Sequence, residues 1–206
     1  MKLSENIEKL FAEKGHEISL SEVLESNQDK VFGFLLVIFS LPVALPLTPP
    51  GISIPFAVAT IIIAFQMLLS RNKPTLPKKL LEAKMDITKN AKFVQLLLKS
   101  LRFAEKFLKP RMQWIYKSIL RPKTTAIVVI LAAIMMSLPF PVTNTPPGFA
   151  ITMIGLGMME EDGLFGLAGV LSFILSIILL LVLGYLVYTF GWEAVNIFKN
   201  YLKNAV

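Results

Sequence analysis

The chain has no cysteine and only one histidine, His16. The first absence excludes a disulfide framework and any Cys-based metal site. His16 lies in the charged N-terminal part and reads as a surface residue, not a ligand or a base. Charge is also scarce. Charged residues make up 17% of the chain, against about 25% in a soluble domain. None occurs from Val31 to Ser70, from Thr124 to Met159, or from Gly163 to Trp192. The opening MKLSENIEKLFAEKGHEIS has neither an apolar core nor a small-residue cleavage site, so it does not read as a signal peptide. No nucleophile–base pair, metal-ligand set or nucleic-acid motif is visible. The expectations are therefore a non-enzyme with no cofactor, no metal and no nucleic-acid partner.

What is abundant is apolar sequence, 54% of the chain. Apolar runs of about 18 or more residues read as membrane segments. Two of them are broken in the same way. Thr-Pro-Pro-Gly occurs at Thr48–Gly51 and again at Thr145–Gly148, and each copy follows a Ser-Leu-Pro, at Ser40–Pro42 and Ser137–Pro139. Both motifs repeat at an offset of 97 residues, so the copies align without a gap. Proline removes a backbone donor and clashes with the preceding turn, and in a Pro-Pro pair the first proline is driven out of the helical region.

The fold class that follows is an all-α integral membrane protein. Residues 1–30 form N-terminal amphipathic cytoplasmic helices, with Ser19 and Glu22 as a capping box before Leu20, Val23 and Leu24. Residues 31–73 and 124–163 form two duplicated, Pro-Pro-Gly-broken helical hairpins. In the first, Val31–Leu41 supplies an arm of eleven residues, about 16 Å long and roughly half a hydrocarbon core. Such short arms favour re-entrant hairpins over ordinary pairs of spans. In the second, helices are expected at Thr125–Leu138 and Phe149–Met159. Between the hairpins, residues 74–123 form a basic amphipathic interfacial segment, with Phe93, Leu96, Leu97, Leu101, Ala104 and Leu108 at helical spacing. Residues 164–192 form one C-terminal transmembrane helix, with Tyr185, Tyr188 and Trp192 suited to an interfacial belt, and 193–206 a polar tail. Lys30, Arg71, Lys73 and the basic segment place the mouths of both hairpins on the cytoplasmic side.

Irregular backbone is not tolerated against lipid, so the two breaks should be buried against each other or line a wet cavity. Broken helices meeting at depth are the pattern of transporter substrate sites. The candidate substrate-binding residues are Thr48, Pro49, Pro50, Gly51, Ser53, Asn144, Thr145, Pro146, Pro147 and Gly148, with Thr143 and Thr152 nearby. Helices starting after Gly51 and Gly148 would aim free N–H groups at the break and favour an anion. The charged candidates are Asp29, Arg71, Glu160, Glu161 and Asp162. The acidic trio reads either as a cation or proton site or as a solvated turn.

The chain resembles the ExoD family of bacterial exopolysaccharide-synthesis membrane proteins over nearly its whole length. The residues that carry this are Ser19–Leu24, Asp29–Gly33, Leu41-Pro42 with Pro49–Gly51, Arg71 with Pro74–Pro77, Pro139–Pro141 with Asn144–Pro146, and Gly155–Gly157 with Asp162-Gly163. The family often has a glycine where Ser70 stands and an aromatic residue where Thr75 stands. The resemblance implies a multi-pass bacterial inner-membrane protein linked to exopolysaccharide production. The residues favour a small transporter or lipid-carrier translocase. The alternative is a non-transporting accessory or scaffold subunit of a polysaccharide synthesis or export complex, partnered by those proteins. Membrane lipids with anionic head groups and a second copy of the chain (a dimer) are further expected partners.

Overall fold

A computed structural model describes residues 9, 17–19, 30–45, 53–71, 74–75, 84–86, 99, 102, 106, 109–119, 121–138 and 144–191. Two short strands, β1 (Glu17–Ser19) and β2 (Lys84–Asp86), pair antiparallel with Ile18 opposite Met85. The helices are α1 (Val31–Ala44), α2 (Ser53–Leu68), α3 (Gln113–Ile119), α4 (Pro122–Ser137), α5 (Thr145–Glu160) and α6 (Gly163–Phe190). The strands fall where the sequence reading expected helix, at 17–19 and 84–86. There, pairing between distant segments satisfies the backbone groups instead of local i→i−4 bonds. Most of the N-terminal and basic segments lie outside the described residues. Within the basic segment Lys99, Arg102 and Lys106 are helical and exposed, and their spacing puts them on one face.

The helices pack crosswise. α1 lies against α5, α2 lies against α4, and α6 covers the other side of α5. Phe34, Leu35 and Leu36 of α1, Ile63 of α2, Met136 of α4, and Ile151, Ile154 and Met159 of α5 are fully enclosed. Lys30, just before α1, bonds Glu160 at the end of α5, so those two termini share one end of the bundle. At the opposite end, Asn144 before α5 bonds Ser53 at the start of α2. The start of α5 also presses on the end of α1, where a Cβ on Gly148 would come within 3.0 Å of the Ala44 nitrogen. The bundle therefore has a charged end and a break end, the latter marked by the end of α1 and the starts of α2 and α5.

The core is apolar, but so is much of the outer surface, while several small polar side chains are enclosed. Ser40, Ser53, Thr60, Gln66, Thr125, Thr152 and Ser176 point inward and are buried. Ile54, Val58, Ile62, Phe65 and Leu69 form an exposed stripe along α2, as do Ile127, Leu131 and Ile134 along α4. Each is about half exposed, so in water it would forgo roughly half of the 1.5–3 kcal/mol that full burial gives. α6, with 28 residues, is the one helix among those described that is long and apolar enough to cross a membrane. Over its second half Ile177, Ile178, Leu181, Val182, Tyr185, Tyr188 and Phe190 are all exposed.

Two expectations about the breaks are corrected. α1 does not stop at Leu41 but runs through Pro42 to Ala44, so this arm has 14 residues, about 21 Å. A proline within a helix costs about 3 kcal/mol. Here it falls in the last turn, and the fully buried Val43 beyond it packs where α5 begins, which offsets that cost. α5 begins at Thr145, not after Gly148, and takes the Pro-Pro pair into its first turn. First-turn N–H groups have no partner inside the helix, so proline forfeits no hydrogen bond there. α4 likewise starts earlier than expected, with Pro122 at its first position.

Candidate functional site

At the break end, α2 and α5 bring Ser53 and Asn144 together. Asn144 Nδ2 donates to Ser53 Oγ at 3.2 Å across 91 residues of sequence. The Asn144 Oδ1 is buried and has no partner among the described residues. Ser172 on α6 donates to the Pro146 carbonyl at 3.2 Å, so α6 closes a third side. Pro147 and Gly148 are buried, while Thr145 and Pro146 are half-buried. Of the ten predicted residues, the structure thus assembles Ser53 with Asn144, Thr145, Pro146, Pro147 and Gly148. Thr48, Pro49, Pro50 and Gly51 lie outside the described residues, as does Thr143.

The expected anion-binding helix end after Gly148 is not present. α5 starts three residues earlier, and Gly148 N–H is already bonded to the Asn144 carbonyl at 3.1 Å. Pro146 and Pro147 occupy the positions whose free N–H groups would have faced the break, and proline has no N–H to offer. The α5 side of the junction presents amide and hydroxyl groups.

One turn deeper, Ser40 of α1 meets Thr152 of α5 at 2.7 Å, fully enclosed. Ser40 Oγ also donates to the Leu36 carbonyl at 2.6 Å, and Thr152 Oγ1 to the Gly148 carbonyl at 2.9 Å. Two hydroxyls carry two hydrogens, and three contacts compete for them. Either hydroxyl can lose its partner and still donate to a carbonyl. Ser40→Ala is therefore expected to lower stability by no more than about 1 kcal/mol, measured by thermal unfolding in mild detergent. A loss several times larger would show that the hydroxyl pair holds α1 and α5 together.

At the charged end, the acidic trio divides into three unlike roles. Glu160 Oε1 accepts from Lys30 Nζ at 2.6 Å. Glu161 is exposed and takes a left-handed conformation (φ 52°) that ends α5. Asp162 is fully buried. Its Oδ1 accepts from Leu164 N–H at 2.9 Å, capping α6, and its Oδ2 accepts from Lys109 N–H at 3.1 Å. Gly163 N–H bonds the Arg111 carbonyl at 2.9 Å, so the turn before α3 is strapped to the start of α6. Neither a shared cation site nor a simple solvated turn describes this. Burial, and secondly the nearby Glu161 carboxylate, hold the Tyr116 hydroxyl above its ordinary pKa, so it stays neutral through the physiological range.

Arg71 is exposed and donates to Thr75 Oγ1 at 3.0 Å. Asp29 lies outside the described residues. Sequence reasoning missed Gln66. Its buried side-chain amide donates to the Thr75 carbonyl at 2.8 Å and accepts from the Thr75 N–H. The available signal was an amide in an otherwise apolar run, four residues before that run ends. Ser70 bonds Met67 and Arg71 bonds Gln66 through the backbone, closing a Schellman turn with Ser70 at φ 54°. That conformation is easiest for glycine.

Inward-facing hydroxyls, an outward apolar surface and one bilayer-length helix define a helical, membrane-associated protein. The chain belongs to the ExoD family, because the family model "Exopolysaccharide synthesis, ExoD" matches residues 3–182. A protein of Synechocystis sp. described as uncharacterized is 33% identical over 204 residues, covering 98% of this chain and 96% of that one. Protein ExoD of Rhizobium meliloti is 27% identical over 184 residues, covering 86% of this chain and 75% of its own. No solved structure matches.

Proposed function

We propose that the protein is a multi-pass component of the bacterial inner membrane that works in exopolysaccharide production. In this reading it passes the polar part of a sugar or sugar-bearing lipid carrier across the junction of its two breaks. The observation that carries the proposal is a mismatch of lengths. α2, α4 and α5 have 16 residues each and α1 has 14, about 21–24 Å, while α6 has 28 residues, about 42 Å. All of them are referred to the same charged end. If α6 spans a hydrocarbon core of about 30 Å, the breaks stop inside it. The helix pairs are then re-entrant, and the repeated Thr-Pro-Pro-Gly marks a duplicated hairpin. Polar groups at that depth need a protein or ligand partner, and the Asn144 Oδ1 has none among the described residues. The groups available are donors and acceptors without charge, which match sugar hydroxyls better than phosphate. No step of chemistry is assigned to them.

The test is uptake of labelled sugars and polyprenyl-linked sugars into proteoliposomes. The expected result is flux that falls at least tenfold in Asn144→Ala while unfolding temperature changes little, since the residue is half-buried. Absence of flux for every such substrate would overturn the transport reading. Recovery of synthesis or export proteins with the chain from native membranes would then favour an accessory role.

A further inference from the structure

From Lys106 to Met159 the sequence has no acidic residue, and Lys109, Arg111, Lys117, Arg121 and Lys123 fall within fifteen positions of one another. α3 lies in the middle of this stretch. Its inner side is anchored: Ile115 is buried, and a Cβ on Gly163 would come within 3.0 Å of the Tyr116 nitrogen. Its outer side carries Gln113, Trp114 and Ser118, all exposed, with Trp114 at 72%. Lys109, Arg111, Met112, Arg121 and Lys123 around it are also exposed. An indole held open to water forgoes its burial, whereas at a bilayer interface its ring is embedded and its N–H is wet.

The adjoining helix shows which level this is. Lys123, Ile127, Leu131 and Ile134 follow at spacings of four, four and three along α4, and all four are exposed. One continuous face thus changes from basic to apolar within a single turn. That step matches the boundary between head groups and acyl chains, where a lysine stem lies along the apolar layer and its ammonium reaches the phosphates. A docking site for another protein would not need the change to coincide with the edge of the apolar belt.

We infer that α3 and its flanking turns form a docking surface for anionic phospholipid head groups. Lys109, Arg111, Arg121 and Lys123 face the phosphates, and Trp114 and Met112 sit at the ester level. The inference rests on the membrane placement proposed above but not on transport. Each cation near an anionic surface is worth about a fivefold preference, weakened by salt.

The experiment uses the full chain with Trp192→Phe, leaving Trp114 as the single tryptophan. The protein is placed in nanodiscs of phosphatidylcholine, alone or mixed with phosphatidylglycerol, with lipids brominated near the ester groups. The expected result is strong quenching of Trp114, with brominated phosphatidylglycerol favoured over brominated phosphatidylcholine. Lys109→Gln, Arg111→Gln and Lys123→Gln together should reduce that preference at least tenfold without changing the unfolding temperature. An unquenched Trp114, a preference unchanged in the triple variant, or photocrosslinks from position 114 to protein instead of lipid in native membranes would each overturn it. Loss of sugar flux with lipid preference intact would sink the transport reading alone.

Discussion

Gly33→Ala is expected to lower stability by about 1–3 kcal/mol, and Gly33→Val by more, although each adds only methyl groups to an apolar helix. The reason is the crossing of α1 and α5. A Cβ on Gly33 would lie 2.7 Å from the Gly155 carbonyl oxygen, and a Cβ on Gly155 would lie 2.8 Å from the Gly33 oxygen. Both obstacles are backbone, so no rotamer change relieves them and the helices must part. Small residues that let backbones touch are how helices associate where lipid removes the hydrophobic drive between them. Parting α1 from α5 would also stretch the Ser40–Thr152 contact and unpack Val37, whose Cγ2 already sits where a Cβ on Gly155 would go. The check is thermal or denaturant unfolding in mild detergent. Gly33→Ala with Gly155→Ala should cost less than the two single changes added, because the second methyl enters space opened by the first. A Gly33→Ala protein within about 0.5 kcal/mol of the parent would show that this crossing is not tight.

Asp162→Ala is expected to cost about 3 kcal/mol, combining a lost helix cap with a lost hydrogen bond to a buried carboxylate. The carboxylate serves two masters, the Leu164 N–H at the start of α6 and the Lys109 N–H in the turn before α3. Asp162→Asn keeps one acceptor oxygen for the cap and should cost roughly half as much. A structural clamp predicts a second effect. Trypsin cleavage after Arg111 should speed up markedly in Asp162→Ala, since the strap from 109–111 to Asp162-Gly163 is then half undone. Unchanged cleavage combined with an unchanged unfolding temperature would show that this carboxylate does not hold the two segments together.

These two residues also show how far the sequence could be read. Gly33 and Gly155 were each legible as glycines in apolar runs, but their contact was not, because nothing local links residues so far apart. Asp162 was legible as part of an acidic cluster at a helix boundary. Its separation from Glu160 and Glu161 was not, since three adjacent carboxylates look alike until packing buries one, pairs one and leaves one in solvent. Gln66 was passed over because an uncharged amide does not interrupt an apolar run, and its partner, the Thr75 backbone, is visible only when the chain turns back.

Proline placement gave the clearest disagreement. The rule that proline ends a helix is local, and it failed at Pro42 and at Pro146-Pro147 for different local and non-local reasons. At Pro146-Pro147 the pair sits where no intrahelical N–H bond exists, so the helix loses no hydrogen bond. At Pro42 one bond is lost, and the enclosure of Val43 beyond it outweighs that loss.

The amino-acid sequence by itself determined the family, the scarcity of charge that suits the chain to a membrane, the repeated Thr-Pro-Pro-Gly motif and the basic stretch between its copies. All of these are composition or short-range pattern, and hydrocarbon or proline acts on them residue by residue. Only the tertiary structure decided that α1 pairs with α5 and α2 with α4, that the end of α1 meets the start of α5, and that Asn144 reaches Ser53 while one of its oxygens has no partner among the described residues. Those outcomes depend on contacts between residues about a hundred positions apart, where the close approach of glycine backbones chooses among arrangements that local propensity leaves equal.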